Sequence, residues 1–257
     1  MQWYTRAVIE DMGDIYTWDV INEPIDNSND PDAILKSTDI YYKVDDASCK
    51  IFQQASLVKK ELGYSTNLII NEYNIESDRN YFKIKSDKFF NFVKDLKDRN
   101  CGVEGIGFQS HFDLGYSDDD IEGIRSNINR YREIGLKVYM TEVDVRCGKG
   151  SGAPTHFQDC ALVEGDVWTE EMIQTQADIY TKVLNVCLES PNCVEFTAWN
   201  FEDKYVSSAF YPPQDPFPFD LNLQPKLAWV DMVEALNSFN RTSDANLERL
   251  RGSYGFE

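Results

Sequence analysis

Two glutamates close short apolar runs: Glu23 follows Trp18-Asp19-Val20-Ile21-Asn22, and Glu142 follows Tyr139-Met140-Thr141. If these runs are strands of a parallel sheet, their ends face the loops that build a pocket, and both carboxyls become candidates for chemistry. They lie 142 − 23 = 119 positions apart. Two carboxyls about 5–5.5 Å apart suit double displacement at a glycosidic carbon, one protonating the leaving oxygen while the other attacks. A gap of roughly 6.5–9.5 Å admits a water instead and inverts configuration. The plainer use of each Glu is to cap the following helix or to pair with an Arg, and spacing alone leaves both uses open.

The neighbours favour chemistry. Residues two apart on a strand share a face, so Glu142 and Asp144 point the same way, inward, where an unpaired charge is costly. Something must hold them ionised. His111, one of two histidines, ends the run 105–111 just ahead of the Glu142 strand. An imidazole between the two carboxylates would orient Glu142 and tune its pKa, although a single His is also commonly a satisfied structural residue. Asn71-Glu72-Tyr73-Asn74 likewise ends a run in hydrogen-bonding groups, where packing calls for apolar ones.

The elements that would position these residues are runs at 15–22, 67–73, 103–110, 137–145 and 194–200. Helical periodicity fills 32–62, 79–99, 118–134, 168–188 and 225–238, after what reads as the end of a helix at 1–12. Strand-then-helix alternation predicts an α/β fold with a parallel sheet. Five strands do not close a barrel, and a doubly wound nucleotide-binding sheet would carry a Gly-rich turn where Asn22-Glu23-Pro24-Ile25 stands. A (β/α) barrel lacking its first part is the favoured reading, with one domain over 1–239 and a polar tail over 240–257.

Composition narrows the partners. The 25 Lys and Arg against 44 Asp and Glu leave a charge of −19 over 257 residues, which repels nucleic acid and anionic membranes alike. A neutral polysaccharide is not repelled. Phe 15, Tyr 14 and Trp 5 provide sugar-stacking surfaces beyond those the core consumes. The six cysteines form no CxxC pair, and His156 has no partner at metal spacing, so neither a metal nor a cofactor is expected. Disulfides are the better use: Cys187 with Cys193 and Cys147 with Cys160 each bracket a turn-rich segment, while Cys49 and Cys101 stay unassigned.

Six segments, 18–24, 71–74, 107–111, 141–145, 196–205 and 216–220, run in the order found in glycoside hydrolase family 10, the endo-1,4-β-xylanases, which the chain resembles. The resemblance implies a (β/α)8 barrel of which only about five βα units, strands 4 to 8, are present. It implies Glu23 as acid/base, Glu142 as nucleophile, Asn22 on the sugar 2-OH, and His111 bridging Glu142 and Asp144. Tyr73, Asn74 and Gln109 would line the same subsite, and Trp199 would stack beneath a xylose ring. The substrate would be xylan or xylo-oligosaccharides, and a monomer is expected. Roughly the first third of a family member, with any signal peptide, is absent from this chain. Residues 1–257 alone are therefore expected to be poorly active or unstable. The Cys187/Cys193 pair resembles a disulfide of fungal members and implies a secreted protein. Two features depart from the family: Ser207 replaces a second Trp, and the loop 147–168, with Thr155, His156 and Gln158, is long. A related retaining glycanase acting on β-glucan or mannan, and an inactive xylan-binding relative, are the competing readings.

Overall fold

The segment Asn67–Glu72 is apolar in its middle and buried from its second residue onward, as a parallel strand covered on both faces must be. In the computed structural model, which describes residues 2–147, 168–205 and 215–239, it is β2. The chain divides into two compact units. One comprises Met1–Gln109 with Ser126–Tyr139, the other Ser110–Arg125 with Met140–Glu257.

In the first unit α1 (Gln2–Met12) leads into β1 (Thr17–Asn22), and α2 (Ile40–Lys43) and α3 (Ala47–Leu62) lead into β2. Then α4 (Lys83–Asp98) precedes β3 (Gly105–Phe108). β1 and β2 are parallel with Asn22 opposite Asn71, and β2 and β3 are parallel with Glu72 opposite Phe108. This register brings the polar ends of the three strands level. Gly105 is demanded by close approach: a Cβ there would lie 2.7 Å from the Tyr139 ring and 3.0 Å from the Lys137 carbonyl. A disulfide joins Cys49 in α3 to Cys101 ahead of β3.

In the second unit β4 (His111–Asp113) runs parallel to the end of β5 (Lys137–Arg146), with His111 opposite Asp144 and Asp113 opposite Arg146. α5 (Asp118–Glu133) and β5 each pass from one unit into the other. α6 (Glu170–Glu189) starts on Thr169, whose hydroxyl accepts the Met172 N–H as an N-cap. The disulfide Cys187–Cys193 closes the turn from α6 into β6 (Cys193–Ala198), which pairs with β5. Lys226, ahead of α7 (Leu227–Ser238), donates to Asp203 Oδ2 and to the Asp215 carbonyl, tying down the segment around 215–220.

The α/β expectation holds, with parallel strands and intervening helices in both units. Two boundaries move. The run 103–110 does not continue to its end as strand, because Ser110 takes a left-handed φ of 66° and the chain restarts as β4 at His111. The helix expected over 32–62 is confined to Ile40–Lys43 and Ala47–Leu62. Asp26 and Asp30 accept the backbone N–H of Ser28 and Asp32, the local turns by which Asp competes with helix. Asp46 at φ 52° breaks the chain again before α3. Cys160, expected to pair with Cys147, lies outside the described residues, as do Thr155, His156, Gln158, Ser207 and the tail from 240.

Candidate active site

The first unit carries a polar cluster at the ends of β1 to β3; in the second the cluster sits along β5, which does not end at Glu142 as the sequence suggested but continues to Arg146, because its last residues pair with β4. In the first, Glu23 leaves β1 with φ 54°, an uncommon conformation for a non-glycine residue and one that the following Pro24 does not favour. Such a residue carries about 1–3 kcal/mol of strain and persists only where its surroundings over-determine it. Here they do: the Glu23 N–H donates to the Asn71 carbonyl at 2.9 Å, and Gln109 Nε2 donates to Glu23 Oε1 at 2.9 Å. Lys36 Nζ stands 3.7 Å from Glu23 Oε2. Asn22 Oδ1 accepts from Asn71 Nδ2 at 3.1 Å and from Gln109 Nε2 at 3.4 Å.

Below this lies Glu72, wholly buried. Its Oε2 accepts the Ile25 N–H at 2.9 Å, its Oε1 accepts the Tyr73 N–H at 3.1 Å, and Lys85 Nζ donates to Oε1 at 2.8 Å. Burial pushes the Glu72 carboxyl up, and Lys85 opposes it. Lys85 also sits over the Tyr73 ring, 3.2 Å from its centroid, a cation–π contact in a desolvated setting. Tyr73 OH accepts from Asn27 Nδ2 at 2.5 Å. Asn74, half-buried, follows with φ 54° and turns the chain out of β2.

In the second unit Glu142, Asp144 and Arg146 fall on alternate positions of β5 and so on one face. His111 lies alongside, its Nδ1 2.8 Å from Asp144 Oδ2 and its Nε2 3.4 Å from Glu142 Oε2. Burial opposes charging of this imidazole, but Asp144 and then Glu142 outweigh burial and Arg146, raising it to about 9. At neutral pH it is therefore an imidazolium that donates from both nitrogens. Arg146 Nε donates to Asp144 Oδ1 at 3.2 Å, and its Nη2 reaches Oδ1 at 3.0 Å and Oδ2 at 3.1 Å. His111 from β4 and Arg146 from β5 thus flank the Asp144 carboxyl. Trp199, just past β6, is 60% exposed and meets the His111 ring edge-on at 6.2 Å, so most of its surface is open to a flat apolar ligand.

The structure brings Asn22, Glu23 and Gln109 together in one unit, with Tyr73 and Asn74 at the neighbouring strand end, and His111, Glu142, Asp144 and Trp199 together in the other. Sequence reasoning missed Lys36, Lys85 and Arg146. Arg146 had a signal, because the period that places Asp144 beside Glu142 also places Arg146 beside Asp144. Lys85 had none: it stands among other lysines of a helix and is selected only by how α4 packs on β2.

The chain matches the model of glycosyl hydrolase family 10 over residues 1–235. It is 28% identical over 226 residues to endo-1,4-beta-xylanase B of Thermotoga neapolitana, an alignment covering 87% of this chain and 57% of that protein. It is 30% identical over 219 residues to endo-1,4-beta-xylanase A of Phanerodontia chrysosporium, covering 84% of this chain and 46% of that protein. Among solved structures it is similar to xylanase 10B from Thermotoga petrophila RKU-1 in complex with xylobiose. There the identity is 27%, the TM-score 0.74, and the coverage 92% of this chain and 64% of that chain. The chain spans about half the length of the curated relatives it matches.

Proposed function

Because this chain belongs to glycosyl hydrolase family 10, we propose that the protein carrying it is a secreted endo-1,4-β-xylanase that cleaves internal β-1,4-xylosidic bonds with retention of configuration. The observation that carries this reading is the line Glu142, His111, Asp144, Arg146, in which a charged imidazole held by Asp144 reaches the Glu142 carboxyl. A carboxylate held that way is prepared to attack rather than to give up a proton.

In the proposed reaction Glu142 attacks the anomeric carbon while Glu23 protonates the departing oxygen, leaving a glycosyl ester on Glu142 and an ionised Glu23. Water then attacks the same carbon, giving its proton to Glu23 and freeing Glu142. The contact from Gln109 to Glu23 Oε1, with Lys36 Nζ 3.7 Å from Oε2, holds this carboxyl in place. Asn22, held by Asn71, would bond the sugar 2-OH, and Trp199 would support a ring by stacking. A xylan-type substrate is supported by the xylanases among the relatives and by xylobiose in one similar structure. Secretion is supported by the disulfides Cys49–Cys101 and Cys187–Cys193, which persist in oxidising compartments.

The test separates the two glutamates. Glu142→Ala abolishes turnover of every substrate, whereas Glu23→Ala spares aryl xylosides whose leaving groups need no proton. Azide rescue yields a β-linked azide with the Glu23 variant and an α-linked one with the Glu142 variant. The opposite pairing reverses the roles, and faster sugar release from carboxymethyl cellulose or mannan than from xylan refutes the substrate.

A further inference from the structure

We propose that Arg146 is a positioning residue of this site: by gripping Asp144 it divides that carboxylate's hydrogen bonding and so fixes His111 between Asp144 and Glu142. The proposal rests on the reading of Glu142 as nucleophile.

Its basis is the distribution of contacts on one carboxylate. Asp144 Oδ2 accepts from His111 Nδ1 at 2.8 Å and from Arg146 Nη2 at 3.1 Å, while Oδ1 takes both Nε and Nη2 of Arg146. The Arg146 and Asp144 side chains are 7% and 5% exposed. A guanidinium buried so deeply repays its desolvation only through a partner that stays ionised and geometrically fixed. The planar fork therefore sets the plane of the Asp144 carboxylate, and that plane sets the direction from which Nδ1 approaches.

The contact from His111 to Glu142, at 3.4 Å, is the longer of its two and is the one that loses if Asp144 is freed. Without Arg146, Asp144 would carry one cationic partner instead of two and would draw the imidazolium toward itself. Among the described residues, none of the other groups named around this line brings a second cation to Asp144. Tyr180 of α6 is buried, with its ionisation strongly opposed by burial and then by Asp144 and Asp203; Asp113 of β4 uses Oδ1 on the Gly115 N–H; Trp199 is neutral.

The experiment compares Arg146→Met and Arg146→Lys with the wild type in the full chain. A His156→Gln background leaves His111 as the one histidine signal in NMR. In Arg146→Met the His111 titration is expected to move upward from about 9, because an opposing cation is removed. With 4-nitrophenyl xylobioside, kcat is expected to fall by about tenfold while KM changes less than about twofold, the signature of an interaction that matters in the transition state. Arg146→Lys, which keeps the charge without the fork, recovers part of kcat. An unmoved or lowered titration in folded Arg146→Met, or wild-type kcat in that variant, overturns the proposal. If Arg146→Met does not fold, Arg146→Lys decides: reduced kcat at unchanged KM supports the role, and wild-type kcat overturns it. The titration does not depend on turnover. If the wild type hydrolyses no xylan and the functional reading fails, an upward shift still supports the Arg146 role and an unmoved or lowered one still refutes it.

Discussion

His111 couples the site to stability. Its imidazole is raised from 6.5 to about 9 in the fold, so the folded state binds this proton more tightly than the unfolded chain does. For a group raised in this way the stabilisation is fully present below about pH 6.5 and is lost as pH rises through about 9. Each tenfold in proton affinity is worth about 1.4 kcal/mol, so the full effect is about 3 kcal/mol, an upper figure because a fifth of the side chain is open to water. The perturbation is His111→Gln, which removes the titrating group. Urea unfolding followed by far-UV circular dichroism at pH 6 and pH 10 gives the destabilisation at each pH. The substitution is expected to cost about 3 kcal/mol more at pH 6 than at pH 10. A difference below about 1 kcal/mol would mean that Asp144 and Glu142 do not hold a charged imidazole, and the reasoning about this site would fall.

Removing Cys49–Cys101, which spans 52 residues, is expected to lower stability by about 4 kcal/mol, and removing Cys187–Cys193, which spans 6, by about 2 kcal/mol. Paired Cys→Ser variants in urea measure both, and equal losses would contradict the loop-length origin. Glu72→Ala leaves Lys85 buried without its partner and is expected to cost about 3–5 kcal/mol, whereas the joint change Glu72→Leu with Lys85→Met costs less. Thermal unfolding of the three variants checks this, and a joint loss equal to or larger than that of Glu72→Ala alone counts against it.

Much of the candidate site was legible before any coordinates. Glu23, Asn71 and Glu142 stand at the ends of apolar runs, where packing by itself would place apolar side chains, and that conflict marks the positions. The period of two along β5 required that Glu142 and Asp144 face one way and that something compensate them. Element types were legible for the same reason: the buried run of β2 and the amphipathic periods of α3 to α6 are short-range signals carried by adjacent residues. Local turn chemistry was harder to read, because the Asp-rich stretch after Glu23 has apolar residues at helical spacing and yet its side chains bond its own backbone.

Tertiary structure decided the partners. His111 reaches Asp144 across 33 positions only because β4 and β5 lie in register, and the left-handed Ser110 restarts the chain so that His111 comes level with Asp144. Cys49 finds Cys101, and Lys85 finds Glu72, through the packing of helices on strands. Propensity and periodicity are set by near neighbours along the chain, so the sequence alone determined which segments form strands and which of their residues share a face. Which charge meets which is set by register and helix packing, where many pairings have similar local cost and only the assembled core selects one.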